Sequence, residues 1–241
     1  MRILGVIPSR YNSSRFPGKP LVDIGGKSMI RRVYEQATKS SLLNSLIVAT
    51  DDKRIFDHVT EFGGKVMMTS TNHQNGTERC AEALGWIEEE FDFVINIQGD
   101  EPFISPGQID LLASNLDPSI ELATLVKKEM DKSLFQDPNT IKVVFDQKSQ
   151  AQYFSRSAIP FCKNEADYKG FYKHIGIYAY RVDILRKIVE LKPSSQELTE
   201  SLEQLRWLEN GFGINVFETS ENSESIDTPE DLGKVLKVGR F

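Results

Sequence analysis

The apolar run Ile3-Leu4-Gly5-Val6-Ile7 leads directly into Pro8-Ser9-Arg10, and the loop that follows carries Ser13, Ser14, Arg15, Gly18 and Lys19. Arginine and lysine side chains, together with backbone N–H groups that a glycine or serine leaves accessible, are the usual cradle for phosphate. A second apolar run, Phe93 to Ile97, gives way to Gln98-Gly99-Asp100-Glu101-Pro102, and Asp227-Thr228-Pro229 offers another carboxylate near the end of the chain. Magnesium binds through one or two protein carboxylates plus phosphate oxygens and water. A basic loop and acidic strand ends at one rim of a sheet are thus the equipment for metal-dependent nucleotidyl transfer, with Asp100 and Asp227 as candidate ligands. Each piece also has a plainer reading. A basic loop can be merely solvated, Asp100 can be a turn carboxylate, and Asp-Thr-Pro-Glu is a good helix entry by capping rules alone.

Other residues are less specific. His58, His73 and His174 lack the companion spacing of a zinc site, and His174 stands at the start of an apolar run. Glu203-Gln204-Leu205-Arg206 could be one turn of any amphipathic helix. Neither Gly-x-x-x-x-Gly-Lys-Ser/Thr nor Gly-x-Gly-x-x-Gly occurs, which counts against a Walker-type or dinucleotide-binding loop.

These residues need elements to position them. Strands are expected at Ile3–Ile7, Ser45–Thr50, Val66–Met68 and Phe93–Ile97. Between them, helical periodicity runs over 27–39, through Met29, Ile30, Val33, Tyr34 and Ala37, then over Ile55–Phe62 and Thr77–Glu90. Such alternation implies βαβ units and a parallel sheet, whose ligands bind beyond the carboxyl ends of the strands. Later the pattern becomes strand-rich, with Leu122–Val126, Ile141–Phe145, Ala151–Phe154 and Ile175–Tyr180, and 161–172 reads as a polar loop. A helix near Val182–Glu190, a longer one over Gln196–Asn210 capped by Gly211, a strand at Ile214–Phe217 and a last helix starting at Pro229 complete the chain. The expected fold class is α/β: one doubly wound, mostly parallel sheet over 1–241, with a smaller β-rich part at about 121–180.

With 241 residues and 39% hydrophobic content, the chain can bury one sizeable core. A net charge of -6 argues against general nucleic-acid binding. Cys80 and Cys162 read as free thiols of a reducing compartment, and the lack of a long apolar run points to a cytoplasmic protein without a membrane span.

The combined motifs resemble the 3-deoxy-manno-octulosonate cytidylyltransferases, or CMP-Kdo synthetases, from Ile3 to about Leu236. The matching pieces include Ile7-Pro8-Ser9-Arg10-Tyr11, Ser14 to Leu21, Gly76-Thr77-Glu78-Arg79 and Asn96 to Pro102. The most specific are Tyr153-Phe154-Ser155-Arg156, His174-Ile175-Gly176-Ile177-Tyr178 and Leu202 to Arg206. Asn75 stands where the family usually has Ser, Ser9 where Ala is common, and Ser225 where Gly is frequent.

The resemblance implies a nucleotide-diphospho-sugar transferase-like fold, CTP and 3-deoxy-D-manno-octulosonate (Kdo) as substrates, Mg²⁺ as cofactor, and a homodimer joined through the β-rich part. It assigns Pro8, Ser9, Arg10, Arg15, Lys19, Asn75, Arg79 and Gln98 to the nucleotide, with Lys19 also offsetting charge on the leaving pyrophosphate. Gln98, Arg156, His174, Tyr178, Glu203 and Gln204 would surround the sugar, with Arg156 on its carboxylate. Asp100 and Asp227 would hold the metal. Retention of Glu101 favours Kdo over its 8-amino analogue, and the product would feed lipopolysaccharide assembly.

Overall fold

The computed structural model describes residues 1–12, 16–222 and 225–239. The candidates Ser13, Ser14 and Arg15 lie outside the described residues. In chain order the elements are β1 (Ile3–Ser9), α1 (Met29–Ala37), β2 (Ser45–Thr50), α2 (Lys53–Glu61), β3 (Val66–Met68), α3 (Gly76–Gly85) and β4 (Phe93–Asn96). Next come α4 (Pro106–Ser114), β5 (Leu122–Glu129), α5 (Lys132–Gln136), β6 (Lys142–Phe145), β7 (Ala151–Ser155) and β8 (Phe171–Arg181). The chain continues through α6 (Val182–Ile188), α7 (Ser195–Glu200), α8 (Gln204–Glu209), β9 (Ile214–Glu218) and α9 (Pro229–Val238).

The strands form one sheet in the order β3-β2-β1-β4-β8-β5-β9. The first four pair in parallel, β8 runs antiparallel to both its neighbours, and β9 is parallel to β5. Alternation along β1 sends its side chains to opposite layers. Ile3 and Ile7 pack with Ile30 of α1, Ile55 of α2 and Leu112 of α4. Leu4 and Val6 pack with Ala83 of α3, Leu185 of α6 and Trp207 of α8. Each such fully buried aliphatic side chain contributes roughly 2 kcal/mol, so covering both faces makes the sheet a rigid platform. The fold class is the mixed α/β class that the sequence predicts.

Several expectations change in detail. The segment 121–180 is less separate than its sequence suggests: β5 and β8 are full members of the central sheet, and only β6 and β7 branch off its path, through β8. Two short helices, α4 and α5, join the pattern. The expected long helix over Gln196–Asn210 is two helices, separated at Ser201, whose φ of 52° is left-handed. That break turns the chain between Glu200 and Glu203. The helix after Asn75 stops at Gly85 rather than Glu90.

Candidate active site

Because β1, β2 and β4 are parallel, their carboxyl ends share one rim. A cavity of about 230 Å³ opens there, lined by Ser9 at the end of β1 and Arg10 after it, Asn75 and Gly76 at the start of α3, and Gln98 to Asp100 after β4. Lys19 and Asp227 close it from the other side. The close approach is built in at Gly99, where a Cβ would lie 2.8 Å from the Pro8 carbonyl oxygen. Gly18 turns the basic loop with φ of 73° and donates its N–H to the Tyr11 carbonyl at 2.9 Å, delivering Lys19 to the rim.

Asp100 and Asp227 do meet. Lys19 Nζ lies 2.8 Å from Asp100 Oδ2 and 3.2 Å from Asp227 Oδ1, so one ammonium spans both carboxylates. The Ile226 N–H also donates to the Asp100 carbonyl oxygen at 2.9 Å. Ile226 is fully buried against Ile24 and Met29, and Thr228 caps α9 in a reciprocal pair with Asp231. Asp227 is therefore held between a buried anchor and a helix entrance.

This donor set fits a divalent cation. Two hard oxygen ligands from separate segments converge on a place that already attracts positive charge, in a cleft open to phosphate and water. Among the described residues, no cluster of three or more His, Cys, Asp or Glu surrounds such an ion. A site that shares its metal with substrate does not need such a cage.

The remaining nucleotide candidates divide by role. Arg10 is exposed and borders the cavity. Asn75 caps α3, its Oδ1 accepting from the Glu78 N–H at 2.8 Å, a capping bond that a serine in its place would also make. Arg79 borders the cavity but is buried and engaged. Its Nη2 bonds Asp51 at 2.8 Å and its Nη1 bonds Thr69 at 2.5 Å, which ties α3 to the ends of β2 and β3. Arg79 thus braces the site where it borders the cavity. The cavity also includes His73, held by Glu82, and Gln74, neither of which the sequence singled out as a contact.

The sugar candidates lie outside the lining of that cavity, with Gln98 as the link. A bulge in β8 opposite Thr124 and Leu125 frees the Gly176 carbonyl, and Gln98 Nε2 donates to it at 2.8 Å. His174, Tyr178 and Tyr180 project along the same strand into a buried aromatic group with Phe154 and Trp207. Burial pushes the His174 imidazole down to about 3, so it is neutral. Thr124 Oγ1 lies 2.7 Å from the Ile177 carbonyl and 3.0 Å from His174 Nε2. The hydroxyl has one proton and meets the carbonyl, so His174 Nε2 carries the proton toward it.

Burial pushes the Glu203 carboxyl up to about 7, against the pull of a hydrogen bond from Thr77 and the charge of Arg206. Gln204 is buried beside it. Ser9 Oγ, Asn96 Oδ1 and Tyr178 Oη are buried polar atoms without a hydrogen-bond partner among the described residues. Orphaned polar groups of this kind carry a desolvation cost that a hydroxyl-rich ligand can relieve.

Arg156 leaves the end of β7 and is half-buried. Its Nε donates to the Glu200 carbonyl at 2.7 Å and its Nη1 to the Pro138 carbonyl at 3.0 Å. A longer contact of 3.4 Å joins Nη2 to the Ser201 carbonyl. A guanidinium has five N–H donors, so the charge and two donors remain for an anion. These bonds dock Arg156 on the turn that leads to Glu203 and Gln204.

The parallel rim, the basic loop and the paired carboxylates define a cytidylyltransferase: a sequence model of the family described as cytidylyltransferase matches residues 4–224, and the chain belongs to that family. A 3-deoxy-manno-octulosonate cytidylyltransferase of Cytophaga hutchinsonii is 52% identical, covering 97% of this chain and 96% of its own. One from Parabacteroides distasonis is 50% identical, with 98% and 97% covered. The solved structure of CMP:2-keto-3-deoxy-manno-octonic acid synthetase complexed with CTP superposes with a TM-score of 0.94 at 43% identity, covering 99% of this chain and 98% of that one. The chain is thus a member of the 3-deoxy-manno-octulosonate cytidylyltransferases, as the sequence motifs indicate.

Proposed function

We propose that the protein transfers CMP from CTP to the anomeric hydroxyl of Kdo, giving CMP-Kdo and pyrophosphate. The observation that carries this reading is the convergence of Asp100 and Asp227 on Lys19 beside the cavity at the β1–β4 rim. The likeness to relatives named for this reaction supports it.

The sugar hydroxyl attacks the α-phosphorus and pyrophosphate leaves in line. Little covalent work falls to the protein, so positioning and neutralisation of charge dominate. Arg10 and Lys19 lie where they can pair with triphosphate oxygens, and Lys19 offsets the charge growing on the leaving group. Asp100 and Asp227 would hold Mg²⁺, which supplies charge neutralisation and Lewis acidity when bound. Ser9, Asn75 and Gln98 orient the nucleotide side, and Arg79 keeps their elements in register.

On the sugar side, Gln98, neutral His174, Tyr178, Glu203 and Gln204 meet hydroxyl groups. Arg156 meets the carboxylate with its remaining donors. Glu101, buried and next to Asp100 in the chain, favours Kdo over the 8-amino sugar, as the family resemblance implies. The reading extends to a cytoplasmic homodimer serving lipopolysaccharide synthesis, as the family resemblance implies. No helix among the described residues is long and apolar enough to cross a membrane. Phosphorus NMR of a mixture of CTP, Kdo, Mg²⁺ and protein tests it. A new phosphodiester signal with equimolar pyrophosphate is expected, and cytidine nucleotide left unchanged would refute it.

A further inference from the structure

Lys142, at the start of β6, has its side chain fully buried, and the reaction does not use it. Its ammonium has three donors, and each meets a backbone carbonyl: Thr140 at 2.7 Å, Asp137 at 3.0 Å and Arg156 at 2.5 Å. Two of these carbonyls belong to the turn before β6 and the third to the residue after β7. Arg156 returns the contact, since its Nη1 donates to the Pro138 carbonyl in the same turn.

The two cations therefore both bond carbonyls of one turn, and the Arg156 carbonyl is held by Lys142. Glu200 completes the corner. Its carboxylate accepts from the Arg156 N–H at 2.9 Å and from the Ser155 hydroxyl at 2.6 Å. A buried lysine is costly, and holding three carbonyls is a way to offset that cost. An apolar residue at this place would leave those carbonyls unpaired, and the Arg156 backbone would keep only its N–H tie to Glu200.

We propose that Lys142 is a positioning residue for the acid sugar: it sets the place and direction of Arg156 without touching substrate. The inference rests on the assignment of Arg156 to the sugar carboxylate. Misplacing a binding group by about 1 Å can cost up to roughly a hundredfold. Lys142→Met should thus raise the KM for Kdo on the order of tenfold or more, with the KM for CTP within about twofold of the parent.

A role in stability alone would lower the melting temperature and leave the ratio of the two KM values unchanged. Arg156→Ala and the double variant complete a cycle. If Lys142 acts through Arg156, Lys142→Met adds no further loss of Kdo affinity in the Arg156→Ala background. Should Lys142→Met yield no folded protein, Lys142→Gln carries the same test with an amide donor in place of the ammonium. An unchanged KM ratio, additive losses in the cycle, or failure of both variants to fold would overturn the proposal and leave Lys142 a stability residue. An Arg156→Ala variant with parental Kdo affinity would instead overturn the assignment of Arg156 itself.

Discussion

The backbone N–H of Ile226 donates to the carbonyl oxygen of Asp100 at 2.9 Å. This bond joins the loop after β4 to the segment entering α9, and it brings the two carboxylates, Asp100 and Asp227, onto one ammonium. The acidic half of the site is therefore assembled by this backbone bond together with the buried Ile226 and the capped entrance to α9.

Asp100→Asn keeps the backbone bond and removes the charge. It should cut kcat/KM by about a thousandfold or more, while circular dichroism and the melting temperature stay close to the parent. Near-normal turnover would remove Asp100 from the metal site. Asp227→Asn should behave alike, because both carboxylates face the same cation.

Arg156→Lys keeps a positive charge and loses the planar fork. The expected result is a raised KM for Kdo with little change in the KM for CTP. Steady-state kinetics with each substrate varied in turn decides it, and a fall in CTP affinity instead would move Arg156 to the nucleotide side.

For Arg79 the structure predicts a different failure. Its guanidinium is buried against Asp51, Thr69 and Ser70. Breaking a buried pair by removing one partner costs about 3–5 kcal/mol. Arg79→Met should lower the midpoint of denaturant unfolding accordingly. A variant of parental stability that had lost only CTP binding would show that Arg79 is a ligand contact rather than a strut.

His174 and Glu203 give opposite pH dependences. The His174 imidazole falls from 6.5 to about 3 on folding, so its contribution to stability is present above 6.5 and is lost as pH falls toward 3. The Glu203 carboxyl rises from 4.5 to about 7, so the folded state retains a proton that the unfolded chain releases, and stability declines as pH rises across that window. The two slopes oppose each other between about 4.5 and 6.5. Glu203→Gln should make the melting temperature climb more steeply with pH there, and His174→Gln should make it climb less. Parallel curves for parent and variants would show that these groups do not titrate as their burial demands.

The rim itself was legible in the sequence, because apolar runs ending in Arg10, Asp51 and Asp100 mark strand ends that a parallel sheet must gather. The pairing of Asp100 with Asp227 comes from the family resemblance and not from spacing, since it depends on the seating of Ile226 in a small core far along the chain. Periodicity also merged α7 and α8. The apolar positions continue across the break, and only the left-handed Ser201 interrupts the helix. The helix α4 was detectable, because Ser105-Pro106 is an N-cap followed by a proline at the first helical position. Arg79 is assigned to the nucleotide only through the family resemblance, not from its spacing. Its commitment to Asp51 follows from how α3 packs on β2, which spacing alone does not report.

The most direct test of the central claim is pyrophosphate release with CTP and Mg²⁺, run in parallel with Kdo, its 8-amino analogue and N-acetylneuraminate. Release with Kdo alone, abolished by a chelator and restored by added Mg²⁺, is the predicted result. A protein that binds CTP yet releases no pyrophosphate with any of the three sugars would contradict the account.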